Sequence, residues 1–273
     1  MMTARKIAIS TCPNDTFAFA GLLSGEVSAD PFTLDFELVD IQQLNELVLE
    51  ARVDVSKVSF AAATRLPNWS VLPVGSALGF GNGPLLLAPD QTEGPPTAES
   101  VIWCPGEQTT ASMLVRMFHP QATRHRQALF SDIMPAIVRG EADFGVCIHE
   151  GRFTYREHGL RCVEDLGQRW EAETRLPLPL GGLIARDGLP TDEVMQIARL
   201  VRRSLRWALE SPEKALPMMR QHAQEFSDDV LMRHVELYVN EHTVDLGTVG
   251  RNALIEFWKR SGASMPPSFV DVD

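Results

Sequence analysis

One histidine in this chain sits where proton transfer has the right neighbours. In Asp143-Phe-Gly-Val-Cys-Ile-His149 an apolar run predicts a buried strand, and His149 follows at its end, just before Gly151. With an ordinary pKa of about 6.5, imidazole is the side chain best matched to general acid–base work near neutral pH. Glu150 is adjacent, but successive strand residues point to opposite faces, so spacing alone does not make it the group that orients the ring.

Hydrogen-bond donors suited to a carboxylate recur at three further strand or helix ends. Lys57 and Ser59, in Asp54-Val-Ser-Lys-Val-Ser-Phe60, fall on one face of a predicted strand and offer a cation and a hydroxyl. Pro105-Gly-Glu-Gln-Thr-Thr-Ala111 joins a glycine loop to paired threonines at a helix start, where hydroxyls and the helix dipole act together on an anion. Ser10-Thr-Cys-Pro-Asn-Asp-Thr16 places small and hydroxyl residues at another helix start.

Other chemistries lack their residues. The remaining histidines (His119, His125, His158, His222, His234, His242) have no metal-triad spacing, and His234 with Tyr238 reads as one helix face. There is no GxSxG elbow and no GxxxxGK[ST] phosphate loop. Gly79-Phe-Gly-Asn-Gly83 lacks the spacing of a dinucleotide fingerprint and is set aside. Cys12, Cys104, Cys147 and Cys162 are scattered without CxxC spacing and read as reduced thiols.

The elements that must carry these groups alternate. Strand Lys6–Ser10 leads to helix Phe17–Leu23, capped by Asn14 or Asp15. Strand Phe32–Leu38 alternates with period two, and Ile41, Leu44, Leu47 and Val48 recur at helical spacing. Strand Asp54–Phe60 and helix Ala61–Arg65 complete a β-α-β-α-β-α order, which predicts a largely parallel sheet. After the apolar run Pro84–Pro89, the polar turn formers of Asp90–Pro96 mark a crossing into a second lobe.

That lobe repeats the logic with strand Val101–Cys104, a helix opened by Thr109 or Thr110 and running through Phe118, and strand Gln127–Phe130. Helix Asp132–Val138, with Pro135 in its first turn, and strand Asp143–His149 follow. A second apolar run, Leu178–Ala185, returns the chain. From Thr191 the pattern is helical, with Pro217 as a break. The expected organisation is residues 1–90 and 180–273 as a larger α/β lobe with a helical C-terminal part, and 91–179 as a smaller α/β lobe. Two α/β lobes joined by two crossings match the type-II periplasmic-binding-protein architecture, with the ligand in the cleft and hinge closure around it.

Composition narrows the partners. A chain of 273 residues with 44% hydrophobic and 22% charged residues can build two cored lobes. A formal charge of -11 excludes nucleic acid and fits poorly with a membrane surface, while a cleft lined by helix termini still attracts an anion. No apolar run approaches the roughly 18 residues of a bilayer span. The first ten residues lack a signal peptide's apolar core, so a cytoplasmic location is expected. The partners expected are a small carboxylate-bearing molecule and, as an open alternative to a monomer, a second copy of the chain in a homodimer.

The strings Ser10–Phe17, Lys57-Val-Ser59, Thr109-Thr-Ala111, Leu176-Pro-Leu-Pro-Leu-Gly181 and above all His149-Glu-Gly-Arg-Phe-Thr-Tyr155 resemble the 1,4-dihydroxy-6-naphthoate synthase family of the futalosine route to menaquinone. The likeness runs over nearly the whole chain. Thr11 stands where proline is common in that family, and Gly151 where serine is common.

The resemblance implies a cofactor-free lyase that cleaves cyclic dehypoxanthine futalosine, with no metal, and His149 as proton acceptor. It also implies substrate contacts at Lys57, Val58, Ser59, Thr110 and Ala111. Asn14 in the first loop and Asn45 on the second helix complete the expected contacts. Two other readings stay open: chorismate dehydratase, a sister family of the same fold, and a non-catalytic solute-binding protein.

Overall fold

The computed structural model describes residues 3–148, 151–223 and 227–270. The chain opens with β1 (Thr3–Ser10) and turns at Cys12 into α1 (Pro13–Leu23). Pro13 occupies the first helical position, where a missing N–H costs little, and Gly25 ends the helix at a φ of 78°. Cys12 is the N-cap and no side chain caps the helix. Asn14 and Asp15 therefore lie inside the first turn rather than capping it, because Pro13 already starts the helix.

The chain continues through β2 (Phe32–Val39), α2 (Ile41–Leu49), β3 (Val55–Ser59), α3 (Phe60–Ala63), β4 (Trp69–Val71) and β5 (Ala77–Gly79). Asp40 caps α2 by accepting from the amides of Gln42 at 2.8 Å and Gln43 at 3.0 Å.

It then crosses to a second sheet and runs through β6 (Leu85–Pro89), β7 (Val101–Cys104), α4 (Thr110–Phe118), β8 (Arg124–Gln127), α5 (Phe130–Val138) and β9 (Phe144–Cys147). α6 (Gly151–Thr154), a 3-10 turn at Tyr155–His158, β10 (Leu160–Asp165) and α7 (Leu166–Thr174) complete that part. β11 (Leu178–Arg186) returns. α8 (Thr191–Glu210), α9 (Pro212–His222), α10 (Asp228–Tyr238), α11 (Glu241–Val244), α12 (Gly247–Ser261) and β12 (Ser268–Phe269) follow.

The first sheet has the order β12-β4-β11-β3-β1-β2, with β5 also on β11; the second has β10-β6-β9-β7-β8. Both are mixed. β1 runs parallel to β2 and β3, as the β-α order predicts, but the returning β11 lies antiparallel to β3 and β4, so the sheet as a whole is not parallel. β6 pairs with β9 and β10 in the second sheet, which puts the crossing between Gly79 and Leu85, earlier than the polar turn at Asp90–Pro96. The apolar run of β6 is buried there and needs neighbours on both sides.

Pro135 falls in the second turn of α5, since that helix starts at Phe130, and Pro217 lies inside α9 without ending it.

The period of two decides what each side of the first sheet meets. Ile7, Ile9, Val55 and Leu183 face α1 and α8, packing against Phe17, Phe19, Ile197, Val201 and Leu205. Ala8, Val58 and Ile184 face the other way, into a cluster with α2, α3 and α12 that continues through Leu86, Ile102, Leu114 and Trp170 of the second sheet. Each fully buried Phe or Leu in these clusters contributes about 1.5–3 kcal/mol. The two lobes therefore share one apolar core behind the site. Among the described residues no helix is long and apolar enough to cross a membrane.

Candidate active site

A cavity of about 130 Å³, open to solvent at its mouth, lies between the sheets. Its polar lining comes from the end of β1 and start of α1, from β3, from the start of α4, from the crossing after β5 and from α10. Ile41, Pro84, Ile148 and Leu180 supply apolar wall, the usual mix for a small organic ligand.

Lys57 reaches this cavity because β3 points its odd residues at α1. Its side chain is 7% exposed, and Nζ donates to Asp15 Oδ1 at 2.6 Å and to the Gly75 carbonyl at 2.9 Å. An ammonium has three donors, so one N–H is left for a ligand. Asp15 is gathered in turn: Oδ2 accepts from the Ser10 hydroxyl at 2.5 Å, and Oδ1 also accepts from Asn14 Nδ2 at 2.9 Å. These bonds fix the position of the ammonium.

Ser59, two residues on, shares that face. Its hydroxyl accepts the Thr110 amide at 3.0 Å and lies 3.3 Å from Thr110 Oγ1, which donates to the Leu180 carbonyl at 3.0 Å. These bonds tie β3 and β11 of the first sheet to α4 of the second part. Thr109 caps α4 by accepting from the Ser112 amide at 3.2 Å. The Ala111 N–H, in the first turn, has no intrahelical acceptor and lines the cavity with its residue. The ammonium and the helix start both present donors to this end, beside the Asp15 carboxylate that pairs with Lys57. Behind it, burial pushes the Cys104 thiol up to about 11, with Ser112 and Arg116 pulling weakly the other way.

The structure thus brings Lys57, Ser59, Thr110, Ala111 and Asn14 to one cavity. Val58 and Asn45 are not on its wall. The Val58 side chain alternates into the apolar core, and the Asn45 Oδ1 accepts the Ser59 amide at 3.4 Å from behind, so Asn45 supports the site rather than lining it. His149 and Glu150 lie outside the described residues; Ile148, which leads to them, is a lining residue.

Three polar lining side chains belong to no site motif legible in the sequence. The rings of His234 and Tyr238 of α10 meet at a tilt of 42° with centroids 4.6 Å apart, and His234 Nε2 lies 3.1 Å from Asn14 Oδ1. Their i, i+4 spacing was visible, but nothing local said that this face meets α1. Asn82, in the glycine run set aside above, is the third. Among the described residues no group of three or more His, Cys, Asp or Glu could hold a metal.

Two α/β lobes with a ligand cavity where they meet define the class of type-II periplasmic-binding-protein-like folds. A Candida albicans protein described as having the generic periplasmic binding protein structural fold superposes with a TM-score of 0.68 at 10% identity, covering 99% of this chain and 98% of that one. Within that class the sequence is specific: residues 5–263 match the family described as menaquinone biosynthesis. A 1,4-dihydroxy-6-naphtoate synthase from Thermus thermophilus is 40% identical over 96% of this chain and 95% of its own. A structural-genomics target protein from Archaeoglobus fulgidus has a TM-score of 0.88 at 28% identity, covering 95% of this chain and 97% of that one. The chain belongs to the 1,4-dihydroxy-6-naphthoate synthase family of menaquinone-biosynthesis enzymes.

Proposed function

We propose that this enzyme is a lyase that converts cyclic dehypoxanthine futalosine to 1,4-dihydroxy-6-naphthoate in the futalosine route, without a cofactor, in the cytoplasm. The observation that carries the reading is the convergence of Lys57, Ser59, Thr110 and Ala111 at one end of a cavity with Ile41, Pro84, Ile148 and Leu180 on its wall. That end suits a carboxylate, and the apolar wall suits a fused ring.

His149 is the base in this reading. Proton loss to it starts carbon–carbon cleavage, the new aromatic ring supplies the driving force, and a sugar-derived fragment leaves. A positioned imidazole contributes roughly 10²–10⁴-fold. The cavity adds orientation and exclusion of water. Support comes from the family membership and from Ile148, which lines the cavity immediately before His149.

The test is turnover. Purified protein incubated with cyclic dehypoxanthine futalosine should produce naphthoate absorbance over many cycles and leave chorismate unchanged. Stoichiometric binding without product would make the chain a solute-binding protein, and dehydration of chorismate would move it to the sister family.

A further inference from the structure

Asn82 sits on the crossing between the sheets and lines the cavity, yet is only 2% exposed. Its Oδ1 has no hydrogen-bond partner, and its Nδ2 reaches only the Leu237 carbonyl, at a long 3.5 Å. An amide offers two donors and an acceptor with two lone pairs, so this one is nearly unused. A buried acceptor without a donor is destabilising, and an apolar side chain of similar shape would fill the space at no such cost.

The place is nevertheless built for it. A Cβ on Gly79 would lie 3.2 Å from Asn82 Cγ and closer still to Nδ2, so that glycine makes room for the amide. The wall beside it is α10. Leu237, which meets the amide, lies between His234 and Tyr238, both lining residues. His234 is reached from Lys57 only through Asp15 and Asn14. This region is therefore a second polar zone, set apart from the Lys57 end. Asp15 as a carboxylate only accepts, so the Asn14 amide turns its NH₂ to Asp15 and its oxygen to His234, which makes Nε2 the protonated nitrogen of that ring.

An amide, an imidazole and a phenol, with no lysine or arginine among them, recognise hydroxyl groups. Building on the reaction proposed above, we propose that Asn82, with His234 and Tyr238, binds the hydroxyl-bearing, non-aromatic part of the substrate, while the Lys57 end holds the carboxylate. Asn82 is a binding residue here; the soft rotation about its amide lets the oxygen turn to a ligand hydroxyl.

The experiment compares two ligands by calorimetry, in a His149→Asn background that keeps the substrate intact. One is the cyclic substrate and the other is 1,4-dihydroxy-6-naphthoate, which carries the ring and carboxylate but not the sugar-derived part. Asn82→Ala should weaken the first by about tenfold and the second by less than about twofold. Asn82→Ser, whose hydroxyl is too short to replace the amide, should give the same split if the alanine variant does not fold. Equal weakening of both ligands, or of neither, overturns the subsite. A parent protein that binds the naphthoate but not the cyclic substrate overturns the reaction assignment, and this subsite with it.

Discussion

The Lys57 ammonium and the Asp15 carboxylate meet at 2.6 Å across 42 residues of sequence, with both side chains almost fully buried. This contact links the first turn of α1 to the middle of the first sheet and fixes the one ammonium that the described cavity wall carries. Removing one partner leaves the other charged and buried. Asp15→Ala should therefore cost about 3–5 kcal/mol of stability in chemical denaturation, and the double variant Asp15→Asn with Lys57→Met clearly less than the sum of its singles. Additive losses would show that the pair is not coupled.

Ser59 and Thr110 form the polar bridge between β3 and α4. Ser59→Ala and Thr110→Val should each weaken ligand binding by roughly 1–3 kcal/mol, with the double variant less than additive because the two share a hydrogen bond. Calorimetric titration with the naphthoate product checks both statements; unchanged affinity in either variant would remove that residue from the site.

His149→Asn should lower turnover by at least about a hundredfold and leave binding of the substrate nearly intact, since an amide keeps much of the shape but cannot accept the proton. Single-turnover kinetics with a parallel binding measurement separates the two effects. Near-normal turnover would take His149 out of the mechanism.

Gly83, on the crossing, packs backbone to backbone against Gly167 at the start of α7. A Cβ there would lie 2.7 Å from the Gly167 nitrogen. Neither main chain can yield as a flexible side chain does, so Gly83→Ala should destabilise the fold by about 1–3 kcal/mol, read as a lowered melting temperature. An unchanged melting temperature would mean that the crossing moves freely.

Cys104 stays protonated in the folded protein to about pH 11, whereas its unperturbed value is 9.0. The unfolded chain loses that proton first, so this group's contribution to stability is complete below pH 9 and falls as pH rises from 9 towards 11. At neutral pH the buried thiol should resist alkylation in native protein and react once denaturant is added, as peptide mass mapping would show. Labelling of Cys104 in the native state would contradict its burial.

Much of the site was legible in local chemistry. Lys57 and Ser59 alternate onto one strand face, and Thr109 and Thr110 open a helix after a glycine loop; both patterns depend on two to four neighbouring residues and survive folding unchanged. The two-lobe organisation was legible for the same reason, since strand and helix periods repeat within short windows. Partners distant in sequence were not. Asp15 read as a cap until Lys57 claimed it, and β6 read as part of the first lobe until its pairing with β9 and β10 moved it.

By itself, the order of residues determined which short segments become strands and helix starts, and so which side chains are offered together on one face. Only the tertiary structure decided that α10 brings His234 and Tyr238 to the cavity, that Val58 turns into the core and that Asn82 is buried over Gly79. Those outcomes depend on packing between elements far apart along the chain. Local propensity carries no information about which faces will meet, because that choice is made by the summed burial of surfaces that do not yet exist in any single segment.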